Sequence, residues 1–421
     1  MNILIIGGGG REHSLCWAVS KSPKCKKLFC IPGNGGIAEI ATCIEKNPEN
    51  QLEIFNFCKK TKIDLVIIGP EKYLEQGLSD YLRKRDINVF GPSKKASKIE
   101  TSKTFSKHFL KRNSIPTADY HCFNEINEAK KYIKCNNPPY VIKVDGLASG
   151  KGVLICKTKT EANNTLKNIF VKKIFGNAGK KILIEEHLDG FEVSFFSFFD
   201  KNKIVMLDYA LDHKRAFDGD NGPNTGGMGA FTPSKKITRE LYEKIFKTII
   251  EPTKQSLDKE QIMFQGILFF GIMVTENGPK VIEYNVRFGD PECQSIVRKV
   301  KSNFLDILYN TATNKLKEVK SIVNNNFSVC VILASKGYPE RFETNLEIKN
   351  IEKANKVKGV IIFHCGTKLE DKKIFSNGGR VLAITAVDSN FLKAREKVYK
   401  ALKIINWKHG FFRNDIGFKN F

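Results

Sequence analysis

No stretch of this chain approaches the ~20 consecutive apolar residues that a membrane-crossing helix needs. The amino terminus, MNILIIGGGGREH, lacks a basic leader and a small-residue cleavage site, so its apolar run reads as a buried first strand. With no targeting signal, a cytoplasmic protein is expected. The 11 cysteines are odd in number and include no C-x-x-C pair, which argues against a disulfide framework and a structural zinc site. Cys16, Cys156 and Cys330 fall in apolar segments and read as small buried hydrophobes. Cys293, inside a charged motif, is the one expected to make a site thiol-sensitive. Acidic residues are scarce beside basic ones, 45 against 69, for a net charge of +24. Such an excess raises nucleic-acid binding. The basic runs, KSPKCKK (21–27) and NFCKKTK (56–62), are however short and scattered, with no arginine-rich or aromatic-interleaved stripe. The charge reads as a Lys-rich composition on solvated faces, whose field still attracts phosphorylated substrates. Neither nucleic acid nor membrane is expected as a partner.

A length of 421 residues implies two to four domains. The first hundred residues alternate strands NILIIG (2–7), KKLFCIPGNGG (26–36), DLVIIGPE (64–71) and INVFGPS (87–93) with helical segments such as REHSLCWAVSKS (11–22). This predicts an open α/β layer with a parallel sheet and ligand loops at its carboxyl edge. A dinucleotide fold fits poorly. With Gly7 and Gly9 as the first two glycines, Glu12 stands where the third belongs, and IPGNGG supplies no acid to grip a ribose. Phosphate binding near Arg11 and a plain tight turn both stay open. Residues 119–190 read as a small α+β lid. From 190 to about 320, EVSFFSFFD, KIVMLDYALDHK, GILFFGIMV and KVIEYNVRFG predict a large antiparallel sheet, and SVCVILASKG opens a last β-rich region. The expected division is 1–101, 102–325 (with the lid) and 326–421, with KEVKSIVNNN (317–326) as linker.

Four segments carry chemistry. KVDGLASGKGV (143–153) flanks small residues with two lysines, which suits a polyphosphate. It is not a Walker A loop, and alone it reads equally well as a Gly-rich hairpin. In KVIEYNVRFGDPE (280–292), alternation places Glu283, Asn285 and Arg287 on one face, with Ile282, Tyr284 and Val286 on the other. A carboxylate and an amide oxygen two apart suit Mg²⁺, and Arg287 can fork onto a phosphoryl group. KILIEEHLDGFEVS (181–194) offers backbone groups to an adenine edge and an acid to a ribose. DHKRAFDGDNGPNTGGMGA (212–230) reads as a long substrate loop. His213 within it reads as an orienting group rather than a base.

These four segments, with IIGGGGREHSL, PGNGG and IIGPE, resemble the ATP-grasp ligases, and within them the phosphoribosylamine–glycine ligase family. FHCGTKL and SNGGRVLAIT (363–385) extend the resemblance over essentially the whole chain, leaving no room for a fused further domain. The resemblance implies a Rossmann-like parallel-sheet N-terminal domain, an ATP-grasp core with a small mobile lid and a β-rich C-terminal domain. It implies ATP-dependent joining of glycine to 5-phosphoribosylamine through a glycyl phosphate, with Mg²⁺ or Mn²⁺, in a cytoplasmic monomer of purine synthesis. Lys103, Lys143, Gly150, Lys151 and Gly152 would hold ATP phosphates. Glu185, Glu186 and Leu188 would meet adenine and Glu192 the ribose. Glu283 and Asn285 would bind the metal, and Arg287 the transferring phosphoryl group. Lys214, Arg215 and Asp290, with Asp212, Asp220, Asn224, Thr225, Gly226 and Gly227, would shape the glycine and amine pocket. Gly9, Gly10, Arg11, Gly33 and Asn34 would take the phosphoribosyl group. Departures from the family pattern are Ser149, Phe191 and Cys293; none removes a phosphate or metal ligand. Three rivals remain: a Rossmann oxidoreductase, a basic nucleic-acid binder and an ATP-grasp ligase for another acid or amine.

Overall fold

The computed structural model describes residues 1–148, 152–301, 303–317 and 322–418. Runs of β-branched and aliphatic residues buried on both faces make the first sheet parallel, since only crossover helices can cover both sides. Its strands are β1 (Asn2–Gly7), β2 (Lys27–Pro32), β3 (Thr42–Cys43), β4 (Leu65–Ile68) and β5 (Val89–Phe90), in the order β3-β2-β1-β4-β5. The order reverses at β1, so a crevice opens beyond its carboxyl end, beside the helix Gly10–Ser20.

The lid segment forms a four-stranded antiparallel sheet, β6 (Tyr120–Phe123), β7 (Tyr140–Val144), β8 (Val153–Cys156) and β9 (Ile182–Glu186), in the order β6-β9-β7-β8. The helices Ile126–Cys135 and Lys159–Leu166 cover it. Ala129, Ile133, Ile142, Val144, Leu166 and Ile184 form its own small core.

The main sheet is antiparallel and runs β16-β15-β10-β11-β14-β17-β22-β19. These are β10 (Phe191–Phe199), β11 (Ile204–Asp212), β14 (Gly229–Thr232), β15 (Gly266–Thr275), β16 (Gly278–Asn285), β17 (Phe327–Ser335), β19 (Val360–His364) and β22 (Arg380–Asp388). The sheet therefore passes without a break from the central region into the C-terminal one, through the pairing of β14 with β17. Between β11 and β14 the expected long loop is instead a short hairpin, β12 (Arg215–Phe217) and β13 (Asn221–Asn224). The helices Arg239–Ile245 and Glu251–Lys259, which the strand-only reading of 190–320 passes over, back this sheet through Ile245, Ile249 and Leu257. A small sheet of β18 (Glu347–Ile348), β20 (Thr367–Glu370) and β21 (Lys373–Ser376) and a last strand, β23 (Gly410–Phe411), complete the chain. No helix among the described residues is long and apolar enough to cross a membrane.

Candidate active site

A cleft of about 660 Å³ lies between the lid, the main sheet and the edge of the first domain. Each wall delivers a different charge. The helix Lys103–Arg112 turns Lys103 and Lys107 inward, and β7 brings Lys143. Lys103 donates to the Gly146 carbonyl at 3.1 Å and Lys143 to the Ile282 carbonyl at 3.1 Å. Lys107 and Lys143 share one oxygen of Glu185, each at 2.9 Å, while the second oxygen of Glu185 is buried without a partner among the described residues. Burial pushes Lys107 down to about 8 against the pull of Glu185. A carboxylate shared this way is one hydrogen-bond donor short of satisfied, so its free oxygen is a strong acceptor for a ligand N–H.

The floor is β16. Its register slips opposite Gly271 and Ile272, so Ile282 is an extra residue. The expected alternation therefore fails at Ile282, and Tyr284, expected on the far face, also contributes to the cleft lining. Ile282 lines the cleft beside Glu283, while Val281 is fully buried behind. Asn285 and Arg287 face the cleft as expected. Burial works against an ionised Glu283, yet Lys214, Lys143, Lys103 and Arg287 together hold it below the usual carboxylate range. Arg287 spans two carboxylates of the first region, Glu71 at 3.1 Å and Glu100 at 2.9 Å. Lys214 is ion-paired with Glu192 and lies 3.7 Å from Glu283.

The loop after β13 presents Asn224, Thr225 and Gly226 to the cleft, with Arg215 beside them. Thr225 bonds back to the Lys214 carbonyl at 2.8 Å, which ties the loop to the lysine. Gly227 has φ +110, and a Cβ there would meet Pro291 at 2.4 Å and Asp212 at 2.8 Å. This glycine lets the loop press onto the GDPE turn. Asp212 is half-buried, and desolvation with Glu292 nearby pushes its carboxyl well up. Asp290 is the opposite case. Burial opposes its charge, but Arg380 and Arg11 hold it below the usual range.

The chain matches all three domain models of phosphoribosylglycinamide synthetase: N at residues 1–100, ATP-grasp (A) at 101–293 and C at 328–419. The chain belongs to the phosphoribosylglycinamide synthetase family. It is 43% identical to the phosphoribosylamine–glycine ligase of Rhizobium meliloti (strain 1021), over 100% of this chain and 98% of that protein. It is also 43% identical to the chloroplastic enzyme of that name from Arabidopsis thaliana, over 97% of this chain and 78% of that one. Among solved structures, phosphoribosylamine–glycine ligase from Thermotoga maritima superposes with TM-score 0.86 at 32% identity, covering 99% of this chain and 100% of that one. The biotin carboxylase domain of Hydrogenobacter thermophilus 2-oxoglutarate carboxylase, with TM-score 0.75 at 15% identity over 98% of this chain and 91% of that one, shares the fold alone.

Against the family expectation, the cleft gathers Lys103, Lys143, Gly152, Glu185, Glu186, Leu188 and Glu192. It also gathers Arg11, Asp212, Lys214, Arg215, Asn224, Thr225, Gly226, Glu283, Asn285, Arg287 and Asp290. Gly150 and Lys151 lie outside the described residues. Six positions are not in its lining. Asn34 spends its amide on the backbone, donating to Gly8 (2.9 Å), His364 (2.8 Å) and Cys365 (3.2 Å) and accepting from Gly36 and Ile37. Gly33 bonds to Gly7, and Gly9 donates to the Glu12 carboxylate at 2.7 Å. A Cβ at Gly10 would strike Cys365 at 2.5 Å. Asp220 pairs with Arg413 at 2.9 Å. Gly227 serves the packing just described.

Cys293 corrects the thiol expectation. It is fully buried, and burial pushes its thiol far above the ordinary value, although Ser14 donates to it. A thiol that neither meets solvent nor ionises is inert. His213 is not in the cleft lining, and its Nε2 accepts from the Gly417 N–H at 3.0 Å.

Sequence reasoning missed Glu71, Glu100, Glu292 and Arg380. Glu71 and Arg380 sat inside quoted motifs, IIGPE and SNGGRVLAIT, without a role. Arg380 donates to the carbonyls of Gly226 (2.7 Å) and Asp290 (2.6 Å), and so fastens the loop after β13 to the GDPE turn. Glu100, in KKASKIET, gave no signal. A shallower depression of about 780 Å³ is lined by Phe29, Leu52 and Phe57 together with Lys46, Glu53 and Lys60, and Lys46 pairs with Glu53 at 2.7 Å.

Proposed function

We propose that this cleft is where ATP and glycine form glycyl phosphate, which 5-phosphoribosylamine then captures to give glycinamide ribonucleotide, ADP and phosphate. The family membership carries the reaction. The observation that carries the site is the meeting of Lys103, Lys143, Lys214 and Arg287 around Glu283 and Asn285.

A carboxylate is a poor electrophile, so phosphorylation must come first. In our reading, Lys103 and Lys143 neutralise the phosphates and Arg287 forks onto the phosphoryl group in transit. The unpartnered oxygen of Glu185 accepts from the adenine amino group, and Glu186 and Leu188 supply backbone contacts. Glu192, now held by Lys214, takes the ribose. Glu283 and Asn285 fit a hard divalent cation, since both line the cleft floor and surrounding cations hold the Glu283 carboxyl below its usual range. Bound there, Mg²⁺ or Mn²⁺ would screen the phosphate charges. Lys214, Arg215, Asn224–Gly226 and Asp290 form the pocket for glycine and the amine, with Asp212 behind them. Glycine is selected by lack of room for a side chain. The lid over 119–190 excludes water from the labile anhydride. The N-terminal, ATP-grasp and C-terminal regions divide near 101 and 325, and one chain is the working unit. Free cysteines and small-molecule substrates support a cytoplasmic setting.

The test is ADP release with Mg²⁺ as glycine and phosphoribosylamine are withheld in turn. Release that needs neither refutes the substrate assignment. Glu283→Ala should abolish turnover; full activity at ordinary Mg²⁺ refutes the metal role.

A further inference from the structure

Eight residues near the C-terminus, 411–418, hold the hairpin that carries the substrate loop. The hairpin is weak by itself. Its two strands pair only at Arg215 with Asn224 and Phe217 with Asn221, with a register slip between, and an isolated two-stranded ribbon is marginal in water. Outside contacts must therefore order it.

They come from one segment. Arg413 is 1% exposed and every arm of its guanidinium is used. It forks onto Asp415 with two bonds of 2.7 Å, pairs with Asp220 at 2.9 Å and donates to the Arg215 carbonyl at 3.1 Å. Asn414 donates to Asp218 from its backbone (2.7 Å) and its amide (3.0 Å). Asp415 accepts from Gly219 N–H at 2.8 Å, Gly417 N–H reaches His213, and the rings of Phe411 and Phe217 lie 5.8 Å apart. The segment is itself fixed to the helix Phe391–Ile405, where Tyr399 donates to the Arg413 carbonyl at 2.8 Å and Arg395 to the Ile416 carbonyl at 3.1 Å. The hairpin thus has its tip and outer edge clamped by the C-terminal segment, while Lys214, Arg215 and Asn224–Gly226 face the cleft.

We infer that Arg413 is a positioning residue for the glycine and phosphoribosylamine pocket, and that Asp220 serves as its partner rather than as a substrate ligand. The inference rests on the reading that this hairpin shapes that pocket. A buried fork that ties two carboxylates and a carbonyl fixes a geometry that a single charge cannot.

The experiment compares the full chain with Arg413→Ala and Asn414→Ala. Hydrogen–deuterium exchange should show lost protection over 215–224, with β9 and β16 unchanged. The KM values for glycine and phosphoribosylamine should rise, by about tenfold to a hundredfold for Arg413→Ala, while ADP affinity stays the same. Asp220→Asn added to Arg413→Ala should cost nothing further; an additive loss means that Asp220 acts on substrate and overturns the assignment. Unchanged protection overturns the latch. Lost protection with unchanged KM values refutes the pocket reading, and the positioning role with it, while leaving the latch itself in place. Should Arg413→Ala fail to fold, Arg413→Lys, which keeps the charge but not the fork, is compared with the native chain alone and with Asp220→Asn, and decides the same outcomes.

Discussion

Arg287 shows how one side chain acts through its shape. Its guanidinium reaches Glu71 and Glu100 together, and Glu100 also accepts from the Val286 N–H at 2.6 Å. Burial raises Glu100 to about 7 against the pull of Arg287, so that carboxylate depends on its partner. A lysine could meet one oxygen at a time. Arg287→Lys should therefore lower turnover by about 10²-fold and ATP affinity far less, as read by single-turnover rates against equilibrium titration. Equal losses would mean that Arg287 only binds ground-state ATP. Cysteine chemistry gives a second test at this scale. Cys135 is exposed and Cys293 is buried, so iodoacetamide should label Cys135 first and leave turnover intact. Inactivation that tracks alkylation of Cys293 would show that the core opens in the native state.

Among elements, the loop after β2 illustrates a polar motif with a structural use. PGNGG looked like a phosphoribosyl contact, yet Asn34 bridges the ends of β1 and β19 through backbone groups. Asn34→Ala should strand these buried groups and cost about 2 kcal/mol, measured by urea denaturation, with the KM for phosphoribosylamine nearly unchanged. A large rise in KM at unaltered stability would restore the substrate role. The bulge at Ile282 is a comparable case. Period-two alternation correctly placed Glu283, Asn285 and Arg287, because they lie beyond the slip. It misplaced Ile282, because the slip arises from pairing with β15, which no local pattern records.

At the scale of the molecule, the first and last regions meet at a pair of buried histidines. The His364 N–H donates to His13 Nδ1 at 2.8 Å, and the His364 ring faces Thr367 at 3.0 Å. Burial lowers His13 to about 3, helped by His364, and lowers His364 to about 4. An unfolded histidine titrates near 6.5. Below that pH the unfolded chain takes up protons that the folded chain refuses. The contribution is therefore complete above pH ~6.5 and lost as pH falls toward 4 and 3, at up to about 1.4 kcal/mol per unit for each ring. Denaturant midpoints at pH 7.5, 6 and 5 should fall more steeply for the native protein than for His364→Gln. Parallel curves would exclude the pair as the source.

Local pattern was enough to fix the parallel sheet, the α+β character of 119–190, the long antiparallel strands and many of the side chains that line the cleft, because periodicity and loop composition are written in consecutive residues. Only the tertiary structure decided that the central and C-terminal strands form one sheet, and that Arg380, Glu71 and Glu100 reach the same cleft. It also tied Asn34 to distant backbone carbonyls and Asp220 to Arg413. Those outcomes depend on which distant backbone carbonyl or carboxylate lies within hydrogen-bond reach, and that distance is set by packing rather than by sequence order.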